Sequence, residues 1–434
     1  MKSIIFIFGS NPQISLTELE AVAGAGALKS ILREPLKASL ALGGYAIAEL
    51  PDDADIPALQ NRLGGTVKIG QIAGRVKENE SRTITLQPRI DARGISMVRD
   101  ELVGVLKNIL EKENKFVFGI SAYSVEGGVN IKAIQAKMKN IGLSLKKEFK
   151  ASGRRSRFAV SREDNLSSAA VVKNKLLTEG MEFLVLAGAN ELILGKTLTV
   201  QDFEKYNLRD YGRPVPSPRS GMLPPKLAQM IINISKIQKN QTLLDPFCGS
   251  GTILQEAVNL GIENIIGSDN EADAVSGSQK NLAWFQDEFK VKPSSLRIFQ
   301  CDARELSQKI QANSIDAIIT EPYLGPPLTG REPFSIIQKN RDELETLYAA
   351  AFQEFAKILK SGGAVAFIFP RFQKDGPAFV KTAAGKQIIE IRNLDQIKKC
   401  GFTIQPLSQS RRGSVIYQKD IQHLAREIFV FKKI

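Results

Sequence analysis

The chain has 434 residues, more than one typical hydrophobic core holds, so two or three domains are expected. Its hydrophobic content of 43% is ordinary for a globular protein, and its apolar runs are too short for a signal peptide or a membrane span, which predicts a cytosolic protein. A net charge of +13 favours a polyanionic partner, whereas three widely separated cysteines argue against a disulfide framework or a zinc site.

Residues 1–74 are predicted to form a small α+β domain. A strand is expected at Ile4–Phe8. The sequence Ser-Leu-Thr-Glu at residues 15–18 has the pattern of a capping box, which predicts a helix that opens there. Apolar segments near 41–50 and 67–72, separated by Pro and Gly, complete this part.

Residues 75–194 alternate again and are predicted to form a second domain. Strands are expected near 83–86, 116–121, 157–161 and 183–187, and helices at 98–110 and 131–149. Between residues 106 and 175 there are 15 Lys or Arg against 6 Asp or Glu. Charge runs are often solvated helix faces, but Arg and Lys are also the standard donors to phosphate oxygens. The residues predicted to contact phosphates are Lys146, Lys147, Lys150, Arg154, Arg155 and Arg157.

Residues 195–220 are predicted to be a linker. From residue 205 onward they are rich in Pro and in charged side chains, a composition typical of a stiff spacer. The remaining residues, 221–434, carry the alternation of a doubly wound α/β domain.

A glycine-rich turn follows a short apolar strand in this last part, where residues 243–251 read Leu-Leu-Asp-Pro-Phe-Cys-Gly-Ser-Gly. Ligands of open α/β sheets bind at the carboxyl ends of the strands, which is where Asp245 is expected. Gly249 and Gly251 allow the backbone to approach a ligand closely. An acid here suits a cationic amine or a ribose hydroxyl, whereas a phosphate site usually has a lysine and no leading acid. The turn therefore favours S-adenosylmethionine, although a turn that only connects strand to helix is the alternative.

Three further predicted strands also end in acids, at Asp269, Asp302 and Glu321. Asp269 lies 24 residues after Asp245, close to the spacing at which an acid reaches a ribose diol. In a sheet without a site, such acids would be scattered among the loops. The predicted cofactor-binding residues are Asp245, Pro246, Phe247, Gly249, Gly251, Asp269, Asn270, Asp302 and Ala303.

The end of the chain predicts an antiparallel sheet edge. After a fifth strand at 363–369 come a helix at 394–400 and strands at 402–407 and 427–431. The last two strands lack a strongly amphipathic crossover helix between them, which favours a hairpin-like pairing. A sheet of about seven strands with one reversed member is similar to that of S-adenosylmethionine-dependent methyltransferases.

The chain resembles the family of THUMP-domain tRNA guanosine methyltransferases that act on position 10. Four stretches carry the resemblance, at residues 213–228, 245–251, 320–325 and 414–428. The match extends over about 210–434 and is only architectural before that. It implies a Rossmann-like, seven-stranded methyltransferase domain preceded by an α+β ferredoxin-like and THUMP region that grips tRNA. The sequence leaves open whether a small partner subunit is needed.

The resemblance also implies a role for each acid at the strand ends. Asp245 and Gly249 would hold the methionine moiety of the cofactor, Asp269 its ribose and Asp302 its adenine amine. Glu321 and Pro322 would lie beside the transferred methyl group, with Tyr323 as the third predicted catalytic residue. A side-chain oxygen and a backbone carbonyl that accept the hydrogens of a base amine would favour its attacking geometry. This chemistry requires no metal and no histidine base.

One segment departs from the family's motif. The chain reads Thr-Glu-Pro-Tyr-Leu-Gly at 320–325, where the family has Thr-Asp-Pro-Pro-Tyr-Gly. In a gapless alignment Glu321 replaces the acid, and Leu324 replaces the aromatic residue that stacks on the base. Alternatively, Tyr323 is the stacking residue and the acid has moved by one position.

Three functions remain open at this point. The first is methylation of an exocyclic amine in RNA, most simply guanosine in tRNA. The second is methylation of an adenine or cytosine amine in DNA, in which case the basic segment would bind duplex DNA. The third is an RNA-binding protein whose catalytic motif has decayed.

Overall fold

The computed structural model describes residues 1–23, 28–31, 44–77, 100, 104, 115–124, 131–161, 163–188, 191–216, 222–329, 332–374, 380–381, 387–391, 394–407, 412–418 and 423–434. The described residues divide into two compact units. Unit 1 comprises Met1–Leu16 and Ala23–Phe203, and unit 2 comprises Thr17–Val22 and Glu204–Ile434. No described helix combines the length and apolarity needed to cross a membrane.

The described strands of unit 1 form one mixed sheet. They are β1 (Lys2–Phe8), β2 (Leu28–Ile31), β3 (Tyr45–Leu50), β4 (Thr66–Lys77), β5 (Lys115–Ser124), β6 (Arg155–Ala159), β7 (Gly180–Ala187) and β8 (Glu191–Val200). Their order across the sheet is β2-β3-β1-β4-β8-β7-β5-β6. The helices of this stretch of sequence are α1 (Pro12–Ala23), α2 (Ile56–Arg62), α3 (Ile131–Ala151) and α4 (Ser168–Lys173).

Helix α3 covers one face of this sheet because its apolar residues recur every three or four positions. Ile134, Met138, Ile141 and Leu145 are buried along that stripe. They share a core with Phe118 and other residues of the strands beneath them. The opposite side of the helix carries the lysines, which are exposed except for the half-buried Lys137.

The structure differs from several expectations in unit 1. Helix α1 begins at Pro12, a residue preorganised for a first helical turn, so the capping box predicted at residue 15 is wrong. Ser15 lies inside the helix, and its hydroxyl donates to the Asn11 carbonyl (2.9 Å). Strand β4 runs through the boundary predicted at 74–75, so both predicted amino-terminal parts contribute to one sheet. The strand predicted at 83–86 lies outside the described residues, as does the helix at 98–110 apart from residues 100 and 104.

Unit 2 contains the predicted Rossmann-like sheet. Its described strands are β9 (Thr242–Asp245), β10 (Asn264–Asp269), β11 (Ser295–Gln300), β12 (Ile315–Thr320), β13 (Leu359–Lys374), β14 (Val380–Lys381), β15 (Gln387–Ile389), β16 (Phe402–Gln405), β17 (Ser414–Tyr417) and β18 (Leu424–Lys433). The order β11-β10-β9-β12-β13 is parallel. Strand β18 then pairs antiparallel with β13 on one side and with β16 and β17 on the other. The predicted Rossmann-like α/β class and the antiparallel edge are thus confirmed, whereas the described sheet has ten strands instead of the seven that were predicted.

The helices of unit 2 connect these strands. They are α5 (Phe203–Tyr211), α6 (Pro225–Ser235), α7 (Thr252–Asn259), α8 (Ala272–Phe289), α9 (Phe334–Ile358) and α10 (Leu394–Lys399). Helix α9 packs Phe352 and Phe355 against Phe367 and Phe431 of β13 and β18, which forms the aromatic centre of the core. This packing fixes β12, β13 and β18 relative to one another, and with them the residues at their ends.

Candidate functional site

The site of unit 2 is built where parallel strands end. Asp245 closes β9, Asp269 closes β10, and Glu321 follows β12 directly. Strand β9 lies between the other two, so these three acids meet at one edge of the sheet, as the sequence predicts. The charges of Asp269 and Glu321 both act on Asp245 and favour its protonated form.

The glycine-rich turn after β9 stands against the end of β10. Gly249 and Gly251 have positive φ angles of 49° and 86°, a left-handed conformation that glycine adopts without strain. A Cβ atom on Gly251 would lie 2.5 Å from the Ser278 hydroxyl, whereas a Cβ on Gly249 would meet open space. The Gly249 amide donates to Asp269 Oδ2 (2.8 Å). The turn is therefore held in place on one side and open on the other.

Asp245 is a buried carboxyl group with an unused oxygen. Its Oδ1 accepts hydrogen bonds from the Thr320 hydroxyl (2.6 Å) and the Phe247 amide (3.2 Å). Among the described residues, none donates to Oδ2. Burial raises the pKa of Asp245 to about 7. A cationic group that reaches Oδ2 would favour the ionised form and be stabilised by it.

Asp269 is held by backbone amides. Its two oxygens accept from Gly249 and Glu271 (3.1 Å to Oδ1), and burial raises its pKa. A carboxylate oxygen has more than one acceptor direction, so hydroxyl groups of a sugar can share these oxygens. The next residue, Asn270, is exposed, and its carbonyl accepts from the Gln300 side chain (2.9 Å).

Asp302 differs from Asp245 and Asp269 because an arginine two residues further along the chain already pairs with it. Arg304 donates to Oδ1 through its amide (2.8 Å) and Nε (2.9 Å), and to Oδ2 through Nη2 (2.7 Å). These hydrogen bonds lower the pKa of Asp302. Ala303 and Pro246 are buried, and Phe247 packs against the core of unit 2. Sequence reasoning did not identify Arg304, although an Arg two residues after a turn acid is a local signal.

Glu321 is paired with Arg426, which sequence reasoning also missed. The Nε atom of Arg426 donates to Oε1 of Glu321 (2.5 Å), and the two side chains are 7% and 14% exposed. Burial raises the pKa of Glu321, and Arg426 opposes that shift. The one available signal was position, because Arg426 lies in the stretch 414–428 that carries the resemblance.

The loop after Glu321 contains two groups that can contact a substrate, the backbone carbonyl of Pro322 and the aromatic ring of Tyr323. The Tyr323 carbonyl accepts from the buried Tyr348 hydroxyl (2.6 Å), which ties the loop to α9. Pro322 is buried, and its carbonyl accepts no hydrogen bond from the described residues. The Tyr323 ring is 54% exposed and is thus available for stacking.

The predicted linker is fixed in place near the turn. Residues 203–211 are helical, and Arg213 donates to the Thr252 hydroxyl (2.8 Å) and the Arg209 carbonyl (2.9 Å). Val215 and the Asn281 side chain exchange two hydrogen bonds of 2.9 Å, and Asn281 also donates to the Ser250 carbonyl (2.9 Å). The expectation of a spacer over 205–216 is therefore wrong, because these polar groups pair with the turn and with α8.

The predicted phosphate-binding residues do not share one face of unit 1. Lys146, Lys147 and Lys150 are exposed on the outer side of α3. Phe158 in the edge strand β6 packs on Gly142 of α3, so Arg155 and Arg157, at alternating positions, point to the other face of the sheet. Arg157 there donates to the Asn174 side chain (2.7 Å), and Arg154 is partly buried. The three lysines of α3 and the two arginines of β6 therefore lie on different faces of unit 1.

Comparison with known proteins finds a methyltransferase family in the part of the chain that contains this site. Residues 215–394 match the family described as UPF0020, an RMKL-like methyltransferase domain. The tRNA (guanine(10)-N2)-dimethyltransferase of Methanocaldococcus jannaschii is 26% identical over 190 residues, which are 42% of this chain and 47% of that protein. The enzyme of the same name from Methanothermobacter thermautotrophicus is 29% identical over 185 residues, 42% and 48% of the two chains. The chain thus spans about half the length of the curated relatives it matches.

Two solved structures share the fold of the whole chain. TrmN from Thermus thermophilus superposes with a TM-score of 0.57 at 16% identity and covers 100% of both chains. A predicted N6-adenine-specific DNA methylase from Listeria monocytogenes gives a TM-score of 0.51 at 12% identity and covers 100% of this chain and 96% of its own. At these identities the likeness concerns the fold alone. The family match is more specific: over residues 215–394 the chain is similar to the UPF0020, RMKL-like methyltransferase domain.

Proposed function

We propose that the protein transfers methyl groups from S-adenosylmethionine to the exocyclic amine of a guanosine in tRNA. The single observation that carries the proposal is the pair of unused acceptors that follows β12, Oε2 of Glu321 and the carbonyl of Pro322. The names of the archaeal relatives support guanosine N2 as the target atom. The net charge of +13 supports a nucleic acid as the substrate.

The residues at the strand ends fit the cofactor. The unused Oδ2 of Asp245 suits the ammonium group of its methionine moiety, beside the open turn at Gly249. Asp269 would accept from the ribose hydroxyls. Asp302 would accept from the adenine amine while its pairing with Arg304 keeps it ionised. When bound, the cofactor supplies an electrophilic methyl group on a sulfonium centre.

The two acceptors, Oε2 of Glu321 and the Pro322 carbonyl, would compensate for the poor nucleophilicity of the base amine. The lone pair of an exocyclic amine is delocalised into the base, so the amine attacks poorly while it stays planar. Two acceptors that each take one of its hydrogens favour the pyramidal form, a preorganised electrostatic stabilisation of the transition state. Tyr348 holds the loop that carries one of them, and the exposed Tyr323 ring would stack on the base. Positioning the amine in line with the methyl group supplies much of the remaining rate enhancement.

Unit 1 would bind the RNA through its basic side chains. Lys146, Lys147 and Lys150 on α3 would contact phosphates, as would Arg154, Arg155 and Arg157 near the edge strand. Because these residues lie on two faces, the RNA would contact one set more than the other.

The test is transfer of a labelled methyl group to three substrates under identical conditions. The substrates are unmodified tRNA, an unstructured RNA and a B-form DNA duplex. The proposal predicts transfer to tRNA and none to the duplex. Transfer to the duplex would indicate a DNA amino-methyltransferase, and binding of tRNA without transfer would indicate a non-catalytic RNA-binding protein.

A further inference from the structure

Arg426 lies in β18, a strand of unit 2 that is paired on both sides. Its backbone lies opposite Pro370 of β13 on one side and opposite Tyr417 of β17 on the other. The guanidinium group reaches from this central strand to Oε1 of Glu321, 105 positions earlier in the chain. A strand paired on both sides moves little, so it gives Glu321 a fixed reference point.

The residue after Arg426 in β18, Glu427, is also buried and charged, but it does not face the site. Glu427 points to the opposite face of the sheet, since side chains alternate along a strand. Its carboxylate accepts from the Ser414 hydroxyl (2.7 Å). Arg371 of β13 pairs with Glu390 (2.9 Å) and its charge interacts with Glu427 on that face. The charges on that face serve the pairing of the strands, whereas Arg426 points to the residue that follows β12.

We propose that Arg426 is the positioning residue of the methyl-transfer site: it holds Oε1 of Glu321 so that Oε2, as a carboxylate oxygen, accepts a hydrogen from the target amine. This inference rests on the proposed function. A glutamate side chain has several rotatable bonds, and fixing one oxygen removes most of the freedom of the other. Arginine suits the task because its donors are in a rigid plane and it keeps its charge when buried.

The groups around Glu321 make its pairing with Arg426 necessary if the carboxyl group is to stay ionised. Glu321 faces Asp245 from β9 and Tyr348 from α9, and Arg426 faces Tyr417 from β17. Without the arginine, Glu321 would be a buried acid beside another acid, an environment that favours the protonated form. A protonated Glu321 would offer a donor where the amine needs an acceptor. Arg426 therefore keeps the Glu321 side chain in place and keeps its Oε2 atom an acceptor, not a donor, toward the target amine.

The test compares Arg426→Gln and Arg426→Lys with the control Arg371→Gln, which removes a paired arginine from the opposite face. At pH 7 we expect Arg426→Gln to lower kcat by roughly 10²-fold, the scale of a misplaced catalytic group. The lost activity should return as pH rises and Glu321 ionises. Arg426→Lys should recover part of kcat, and Arg371→Gln should keep kcat and its pH profile. Cofactor affinity should change much less than kcat in all three, since Arg426 donates to Glu321, which is not one of the predicted cofactor-binding residues.

A second readout separates this proposal from the proposed function. Infrared spectra of the full chain should show a carboxylic-acid band from Glu321 that is new or stronger in Arg426→Gln than in the wild type at the same pH; Glu321→Gln assigns it. An unchanged kcat and pH profile in Arg426→Gln, or no new or stronger band, would overturn the positioning role. If the wild type methylates no RNA, the proposed function fails, and the infrared result still decides whether Arg426 keeps Glu321 ionised.

Discussion

The buried ion pair of Lys68 and Glu182 in unit 1 and the acids at the strand ends of unit 2 are paired to different degrees. In unit 1, buried Lys68 contacts Glu182 and donates to the Leu166 carbonyl (2.6 Å), while Glu182 accepts from the Ser121 and Thr197 hydroxyls (both 2.6 Å). In unit 2, Asp245 and Glu321 each have one oxygen without a donor among the described residues. Because unpaired buried polar groups are costly, a fully paired charge indicates a role in folding and an incompletely paired one indicates a ligand.

The largest effect is expected from breaking the paired cluster of unit 1. Glu182→Ala should lower the free energy of unfolding by about 3–5 kcal/mol, because Lys68 would remain buried and unpaired. Urea denaturation of the full chain measures this. Glu179→Ala, which removes an exposed partner of Lys175, is the control and should change stability little. If Glu182→Ala and Glu179→Ala were equally stable, the buried pairing of Lys68 with Glu182 would have no special role in folding.

Removing the acceptor in unit 2 should affect rate rather than stability. Glu321→Ala should lower kcat by roughly 10²–10³-fold, the scale of one transition-state hydrogen bond. Glu321→Gln should retain part of the activity, since an amide oxygen still accepts. Steady-state kinetics at saturating cofactor tests both variants. Full activity in Glu321→Ala would move the chemistry to another residue.

The carboxylate of Asp269 at the end of β10 should contribute chiefly to cofactor affinity. Asp269→Ala should weaken binding of S-adenosylmethionine by about 1.5–3 kcal/mol, the scale of a hydrogen bond to a charged group. Asp302→Ala should cost less, because Arg304 already engages both oxygens of that carboxylate. Calorimetry with the cofactor compares the two. Equal losses would show that pairing with Arg304 does not reduce the role of Asp302.

Asp245 should make cofactor binding depend on pH. Its pKa is raised to about 7, so the folded protein keeps this carboxyl group protonated below that value. Folding stability should therefore fall as pH rises from about 4 to 7, and affinity for the cationic cofactor should rise about tenfold per pH unit up to 7. Calorimetry between pH 5.5 and 8.5 measures the slope. Asp245→Asn should remove most of it, and an unchanged slope in that variant would assign the titration elsewhere.

The smallest effects concern the basic faces of unit 1. Replacing Arg154, Arg155 and Arg157 with Ala should weaken tRNA binding and reduce its salt dependence, by about one in the logarithmic slope for each phosphate that is no longer neutralised. The variant with Lys146, Lys147 and Lys150 replaced tests the α3 face separately. Cofactor affinity should stay unchanged in both. An unchanged salt slope in both variants would mean that these charges are only solvated.

The sequence predicted what local pattern and chain order determine. A strand that ends in an acid is a continuous signal, and at Asp245 a glycine turn follows, which is why the sequence predicted that Asp245 and Asp269 lie at the sheet edge. Arg426 was missed because its meeting with Glu321 depends on the register of β18 against β13, which no local pattern encodes. Arg213 was assigned to a spacer because the composition of its segment resembles one, although its Nη1 atom pairs with Ser250 and Thr252, 37 and 39 positions away. The departure at Glu321 likewise became interpretable only with Arg426 beside it.

The most direct test of the account is mass spectrometry of nucleosides from tRNA incubated with S-adenosylmethionine and either the wild type or Glu321→Ala. We expect guanosine methylated on its exocyclic amine with the wild type, and at most a trace with the variant in the same time. Methylation of another base or another atom by the wild type, or equal amounts of product from both proteins, would contradict it.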